Sequence, residues 1–237
     1  MDFQFWTRHF AESTLLAKGI YLFLFGLSVV AWAIIVRKTQ LLHRNSRGTR
    51  QFLEQYRKGR RDIFGLYRQL GQGRSRMESP LLAVFIRGCE DLQGHLGREP
   101  GPGAAAAAGR TKISPLQVST LSRSVTAVED KYFLDLEHLL IILATTISAA
   151  PFLGLLGTVW GILGAFQTMA SQGANGVTAV GSGISEALIA TAFGLLVAIP
   201  ALLGYNFIGA RIRELAGEAD QFVADFLALI ERDYVRE

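Results

Sequence analysis

The sequence has 237 residues, of which 50% are hydrophobic and only 19% are charged, and its formal net charge is +4. Soluble domains carry about 25% charged residues, so this composition points to a membrane protein. The basic balance does not indicate nucleic-acid binding, because the basic residues lie between apolar runs and are not interleaved with aromatic residues. The single cysteine, Cys89, excludes an internal disulfide.

The first apolar run, 19–36, is uncharged and is about long enough to cross a bilayer as a helix. A cleaved signal peptide would have a shorter apolar core followed by small residues. This run ends in bulky residues followed by Arg37 and Lys38, which predicts a retained first transmembrane helix. The segment before it, 1–18, is predicted to lie in the periplasm.

A long polar segment, 37–138, is predicted to form a helical cytoplasmic loop. Apolar residues among the arginines of 41–71 are typical of a surface helix, and the glycine-, proline- and alanine-rich stretch 97–110 predicts a flexible linker. From Pro115 onward apolar residues return at helical spacing, with Ser114 as the candidate N-cap. We expect this helix to lead toward the second span.

Two further apolar runs, 139–166 and 184–208, predict the second and third transmembrane helices, joined by a short loop at 167–183. The tail, 209–237, has apolar residues at helical spacing and predicts an amphipathic cytoplasmic helix. The predicted fold class is therefore an all-α membrane protein with three transmembrane helices. Its second and third helices are long and extend into the cytoplasm.

The distribution of Lys and Arg predicts the orientation. Two lie in 1–18, eighteen in 37–138, none in 167–183 and four in 209–237. By the positive-inside rule, the long loop and the C-terminus are cytoplasmic, and the N-terminus and the short loop are periplasmic.

Small residues line one face of each of the last two predicted spans, which allows helices to pack closely in lipid. A contact between subunits and an ordinary contact within one chain fit this pattern equally well. The small residues are Gly154, Gly157, Gly161 and Gly164 in the second span, and Gly183, Ala187, Ala190, Gly194, Ala198 and Ala201 in the third. Pro151 and Pro200 each remove a backbone donor and predict a helix kink.

Glu186 is the sole acidic residue between positions 139 and 208. A charge within the bilayer costs about 2.5–3.5 kcal/mol, so its default interpretation is functional; alternatively, it is hydrated at the outer interface. The candidate hydroxyl-bearing residues of the same spans are Thr158, Thr191, Thr145, Thr146 and Ser148. These hydroxyls either line a polar path or bond back to carbonyls of their own helix.

Two segments, APFLGLLGTVWGI at 150–162 and ISEALIATAFGLLVAIPA at 184–201, together resemble the second- and third-span signatures of the MotA/TolQ/ExbB proton channel family. The first span begins near the N-terminus and is closer to the TolQ-type members than to the ExbB-type members. Ala149 and Ala150, where relatives often have serine or threonine, and the alanine-rich stretch 101–109 depart from the family pattern.

The resemblance implies a ring, typically a homopentamer, in which the second and third spans line a central pore. Two copies of a single-span TolR/ExbD-type partner would occupy that pore and bring a membrane aspartate, and a further effector would span the periplasm. Thr158, Glu186 and Thr191 match the family's functional polar positions, and protons would be the coupling ion, with no other cofactor. The implied protein is a stator subunit of an inner-membrane motor of the Tol-Pal type. A gliding-motility motor and an ExbB-like subunit that energises outer-membrane transport stay open.

Three other classes of protein fit less well. A non-conducting oligomeric scaffold would tolerate the loss of Glu186 or Thr158. A transporter with a site at broken helices usually has more spans and internal repeats. The sequence predicts neither an enzyme nor a metal site, because it has no phosphate-binding loop or nucleophile elbow and its histidines lack metal-ligand spacing. The histidines are His9, His43, His95 and His138.

Overall fold

The computed structural model describes residues 15–60, 62–72, 79–96, 112–172 and 177–235. The linker predicted at 97–110, the first fourteen residues and the middle of the short loop at 173–176 lie outside these described residues. Within them the secondary structure is helical, apart from an isolated parallel bridge between Ile113 and Val235.

Six helices follow one another in the described part of the chain. They are α1 (Leu15–Gly59), α2 (Ile63–Gln72), α3 (Pro80–His95), α4 (Pro115–Glu137), α5 (Leu140–Gln172) and α6 (Val177–Tyr234). Three stretches, in α1, in α4 with α5, and in α6, are long and apolar enough to cross a membrane. The all-α class with three helices able to span a membrane is thereby confirmed, and the pentameric ring stays a prediction.

Two of these helices are much longer than one bilayer crossing requires. α1 has 45 residues and α6 has 58, which at 1.5 Å per residue gives about 68 Å and about 87 Å of helix. The apolar core of a bilayer is only about 30 Å thick. The surface helix expected in 41–71 is instead the continuation of α1 as far as Gly59, followed by the short helix α2.

The chain divides into two compact units. The first comprises Met1–Arg37 and Leu139–Ile208, and the second comprises Lys38–His138 and Gly209–Glu237. The first unit therefore collects the three apolar runs, and the second collects most of the charged residues.

The second unit is held together by an aromatic core. Neighbouring rings in this core have centroids 5.0–5.9 Å apart. Each such pair contributes about 0.5–1.5 kcal/mol beyond its burial. The rings belong to Phe52 and Tyr56 of α1, Phe85 of α3, and Phe222 and Phe226 of α6.

Helix α4 begins as the sequence predicts. The Ser114 hydroxyl accepts a hydrogen bond from the Gln117 amide at 3.3 Å, and the Ser114 amide donates to Gln117 Oε1 at 2.8 Å. This capping box satisfies two amides that have no partner within the helix, and Pro115 occupies the first turn, where its missing amide is not needed. The apolar stripe expected in the tail is also confirmed, because Ile212, Leu215, Phe222, Phe226, Leu229 and Ile230 are all buried.

A lysine and a glutamate, Lys38 and Glu129, are buried among the described residues of the second unit. The Lys38 ammonium donates to the backbone carbonyls of Asp135 and Leu136, at 3.3 and 2.5 Å, near the C-terminal end of α4. The last carbonyls of a helix lack helical partners and favour a cation. Glu129 is 5% exposed, and its Oε1 accepts no hydrogen bond from the described residues.

Candidate functional site

Helices α5 and α6 approach each other closely through their small residues. A Cβ built on Gly154 would lie 2.9 Å from the Thr191 Cα, and one built on Gly157 would lie 2.6 Å from the Ala190 Cβ. Real Cβ atoms do not come this close, so the two backbones can approach only because these residues are glycines. The contact lies within one chain, which is one of the two arrangements that the sequence leaves open.

The same contact continues along both helices. A Cβ on Gly161 would lie 2.9 Å from the Ala187 Cβ, and one on Gly194 would lie against the backbone carbonyl of Ala150. Gly164 differs, because a Cβ built there meets no described atom within 4 Å. Ala198 belongs to an apolar cluster with Ile20, Leu24, Ala150 and Val197.

The two candidate threonines make different hydrogen bonds. The Thr191 hydroxyl of α6 donates to the Gly154 carbonyl of α5 at 3.1 Å and so links the two helices. The Thr158 hydroxyl donates to the Leu155 carbonyl of its own helix at 2.6 Å. Each hydroxyl oxygen keeps lone pairs that can accept a further hydrogen bond.

The polar patch near the start of α5 bonds to its own helix. The hydroxyls of Thr145, Thr146 and Ser148 each donate to the carbonyl four residues earlier, at 2.8, 2.8 and 3.2 Å. Thr146 is fully buried, while the other two side chains are exposed. Local bonding, one of the two expected alternatives, is therefore present, and lining of a proton path stays a prediction for all three. Both α5 and α6 continue through their prolines, Pro151 and Pro200.

Glu186 lies partly buried in α6, and its Oε1 is buried without a hydrogen-bond partner among the described residues. The backbone carbonyl of Glu186 accepts a hydrogen bond from the Tyr21 hydroxyl of α1 at 3.2 Å. Sequence reasoning missed Tyr21. The available signal was a ring hydroxyl inside an apolar run, but a tyrosine near the end of a span is usually an interfacial anchor.

Helices α5 and α6 therefore carry hydroxyl groups that donate hydrogen bonds to backbone carbonyls. They also carry one carboxyl group with an oxygen that has no described hydrogen-bond partner. A carboxyl oxygen without a partner can accept a hydrogen bond from a donor that approaches it. Within the described residues no group of three His, Cys, Asp or Glu side chains is placed to hold a metal ion.

Comparison with known proteins points to one family. Residues 107–221 match the model of the MotA/TolQ/ExbB proton channel family. The Tol-Pal system protein TolQ of Haemophilus influenzae is 27% identical over 223 residues, 94% of this chain and 92% of the relative. The TolQ of Pseudomonas aeruginosa is 31% identical over 222 residues, 94% of this chain and 90% of the relative. The biopolymer transport protein ExbB of Neisseria meningitidis is 28% identical over 207 residues, 87% of this chain and 88% of the relative.

Proposed function

The chain belongs to the MotA/TolQ/ExbB proton channel family, and we propose that it is the TolQ-like channel subunit of an inner-membrane motor driven by the proton-motive force. The motor would transmit energy toward the periplasm and the outer membrane. Relatives named for the Tol-Pal system align over 94% of the chain, which favours that system over the others in the family.

One observation carries the proposal: Glu186 is the sole ionisable side chain in the apolar runs of α5 and α6 apart from Tyr205, and one of its carboxyl oxygens is buried without a described partner. A carboxyl in this setting is costly, so its default interpretation is functional. Moving one proton through 100 mV releases about 2.3 kcal/mol, which is the energy that such a motor converts.

The same pattern supports a partner that supplies the second titrating group. The apolar runs of α5 and α6 contain no acid near their centres, since Glu186 lies close to the start of the third span. A membrane aspartate on a single-span TolR/ExbD-type protein, present in two copies inside a homopentameric ring, would complete the path. In this arrangement the N-terminus is periplasmic and the C-terminus cytoplasmic, and a further effector spans the periplasm.

Proton flux in liposomes tests the proposal. The chain is reconstituted with a single-span TolR/ExbD-type protein, a potential is imposed, and proton uptake is followed with a pH-sensitive dye. We expect Glu186→Gln and Thr158→Ala to assemble normally and to lose flux about tenfold or more, the effect of roughly 1.4 kcal/mol on a barrier. The matched control is Thr120→Ala, because Thr120 is an exposed threonine of α4 that bonds to its own helix. Undiminished flux in assembled Glu186→Gln would remove Glu186 from the proton path, and the absence of flux in the assembled wild type would support a non-conducting scaffold.

A second candidate is a subunit that energises outer-membrane transport, as favoured by the ExbB relatives that align over 87% of the chain. Expression in strains that lack either TolQ or ExbB separates the two systems, since a TolQ-like subunit should rescue the first strain better than the second. Rescue of neither strain would favour a different system, such as a gliding-motility motor.

A further inference from the structure

Tyr21 is held by α6 at two points. Its hydroxyl donates to the Glu186 carbonyl at 3.2 Å, and its ring meets the Phe193 ring edge-on, with centroids 5.6 Å apart and planes at 62°. Glu186 and Phe193 are seven residues apart, which is two turns of an α-helix, so they lie on one face of α6. Tyr21 therefore lies on the face of α6 that carries Glu186, and its ring cannot swing away without losing the Phe193 contact.

One oxygen of the Glu186 carboxyl, Oε1, is buried and has no hydrogen-bond partner among the described residues. A buried carboxylate without a donor is unstable, and a hydrogen bond to a charged acceptor is about twice as strong as one to a neutral acceptor. The Tyr21 hydroxyl can rotate, so the carbonyl and the carboxylate of one residue compete for a single hydrogen.

We propose that Tyr21 is a positioning residue for Glu186, whose carboxylate takes the Tyr21 hydrogen bond when it is charged and returns it to the backbone carbonyl when it is protonated. A proton from solution binds a carboxyl oxygen of Glu186 and leaves from it, and Tyr21 keeps its own hydrogen throughout. The exchange ties the protonation state of the third span to a residue of the first span. This inference rests on the proposed function, because it assigns the exchange to the acid of the proton path.

Few other ionisable groups lie near this pair among the described residues. Helix α5 has none, and α6 has none in its apolar run besides Glu186 and Tyr205, which is five turns further along. Helix α1 contributes Tyr21 and Lys18, one turn before it. A change in the titration of Glu186 on removal of one hydroxyl can therefore be assigned to Tyr21, provided that Lys18 is kept.

Infrared spectroscopy of the purified full-length chain tests the exchange directly. Difference spectra between acidic and alkaline solution are recorded for wild type, Tyr21→Phe, Glu186→Gln and the control Tyr205→Phe, which removes a hydroxyl elsewhere in α6. The carboxyl band that is missing in Glu186→Gln identifies Glu186. We expect Tyr21→Phe to shift this band and to move its titration up by about one pH unit, a tenfold change in proton affinity, while Tyr205→Phe changes neither.

A second measurement does not depend on the folding of Tyr21→Phe. In the wild type a tyrosine ring band should change with the Glu186 titration, and this change should be missing in Glu186→Gln. Coincident carboxyl bands and titrations in wild type and Tyr21→Phe, or a tyrosine band that responds equally in Glu186→Gln, would overturn the inference.

The infrared result is independent of transport. In the liposome assay we expect Tyr21→Phe to lower proton flux several-fold and to have no further effect in a Glu186→Gln background. Spectral coupling without wild-type flux would remove the proposed function and keep the Tyr21–Glu186 exchange. Wild-type flux without spectral coupling would do the opposite.

Discussion

Glu129 lies on the buried side of α4, outside the membrane-spanning segments. Burial, reinforced by the carboxylates of Asp220 and Asp130, raises the pKa of Glu129 from 4.5 to about 7. The folded chain therefore holds this proton more tightly than the unfolded chain does. Below about pH 4.5 the burial of Glu129 does not lower the free energy of unfolding. This free energy falls as the pH rises from there to about 7, and above that the full cost of burying the charged carboxylate is present.

Replacement of Glu129 by glutamine should remove this pH dependence. At pH 8 we expect Glu129→Gln to be more stable than the wild type by up to about 3 kcal/mol, because 2.5 pH units correspond to that energy at most. At pH 4.5 the two proteins should differ little. Thermal unfolding of the detergent-solubilised chain at both pH values measures the effect, and Glu137→Gln, an exposed glutamate on the same helix, is the control. Parallel pH profiles for Glu129→Gln and wild type would contradict the burial argument.

The residues that could be predicted from the sequence differ in their surroundings from those that could not. Glu186, Thr158 and Thr191 stand out because polar atoms are rare in apolar runs, and position alone is enough to find them. Glu129 and Lys38 lie among many charged residues, and helical spacing does not say which charged side chain is buried. The Thr191 bond to Gly154 could not be predicted either, since it joins residues 37 positions apart and depends on the register between two helices.

At the scale of elements, the α5–α6 contact predicts different effects of an alanine substitution at two glycines of α5, Gly154 and Gly164. Gly154→Ala places a Cβ 2.9 Å from the Thr191 backbone, so the helices must separate and the Thr191 hydrogen bond must lengthen. We expect a loss of about 1–3 kcal/mol, typical of overpacking. Gly164→Ala enters open space and should be neutral or slightly stabilising, because alanine favours helix more than glycine. Unfolding midpoints in one detergent measure both variants, and a Gly164→Ala variant that is the less stable of the two would contradict this packing.

The end of α4 depends on a cation supplied by α1. Lys38→Met keeps the apolar stem but removes the charged donor to the carbonyls of Asp135 and Leu136. We expect a loss of about 1.5–3 kcal/mol, the range for hydrogen bonds to charged groups, and faster amide hydrogen exchange at the end of α4. Exchange measured by mass spectrometry on peptides that cover this end tests the change. Lys131→Met, an exposed lysine of α4, should leave exchange there unaltered, and equal exchange in the two variants would remove the capping role of Lys38.

Hydropathy predicts the spans well and the helix ends poorly, for a physical reason. The number of apolar residues per crossing is fixed by bilayer thickness, so three runs give three spans. The end of a run marks a change of solvent, while a helix ends only where its backbone bonds are broken. Helix α1 therefore continues past Arg37 to Gly59, and α6 already begins at Val177, inside the predicted short loop.

At the scale of the whole molecule, the first unit exposes many large apolar side chains. Examples that are more than half exposed are Leu22, Phe25, Trp32, Phe152 and Leu203. A soluble monomer rarely tolerates so much exposed apolar surface, whereas lipid covers it at no cost. Lipid tails and apolar side chains are chemically alike, so apolarity cannot separate a lipid-facing surface from a subunit interface. The ring therefore rests on the family resemblance and needs its own measurement.

Native mass spectrometry of the complex in mild detergent provides that measurement. We expect five copies of the 25.9 kDa chain, about 130 kDa in all, and a further addition of two partner masses when the single-span protein is produced with it. A closed ring gives one discrete mass that does not grow with protein concentration, because every interface is already used. A stronger detergent should separate the ring into single chains while the second unit of each chain stays folded. If the chain stays monomeric in the presence of its partner, Thr158 and Glu186 have no lumen shared between subunits. The proton-path proposal would then fail.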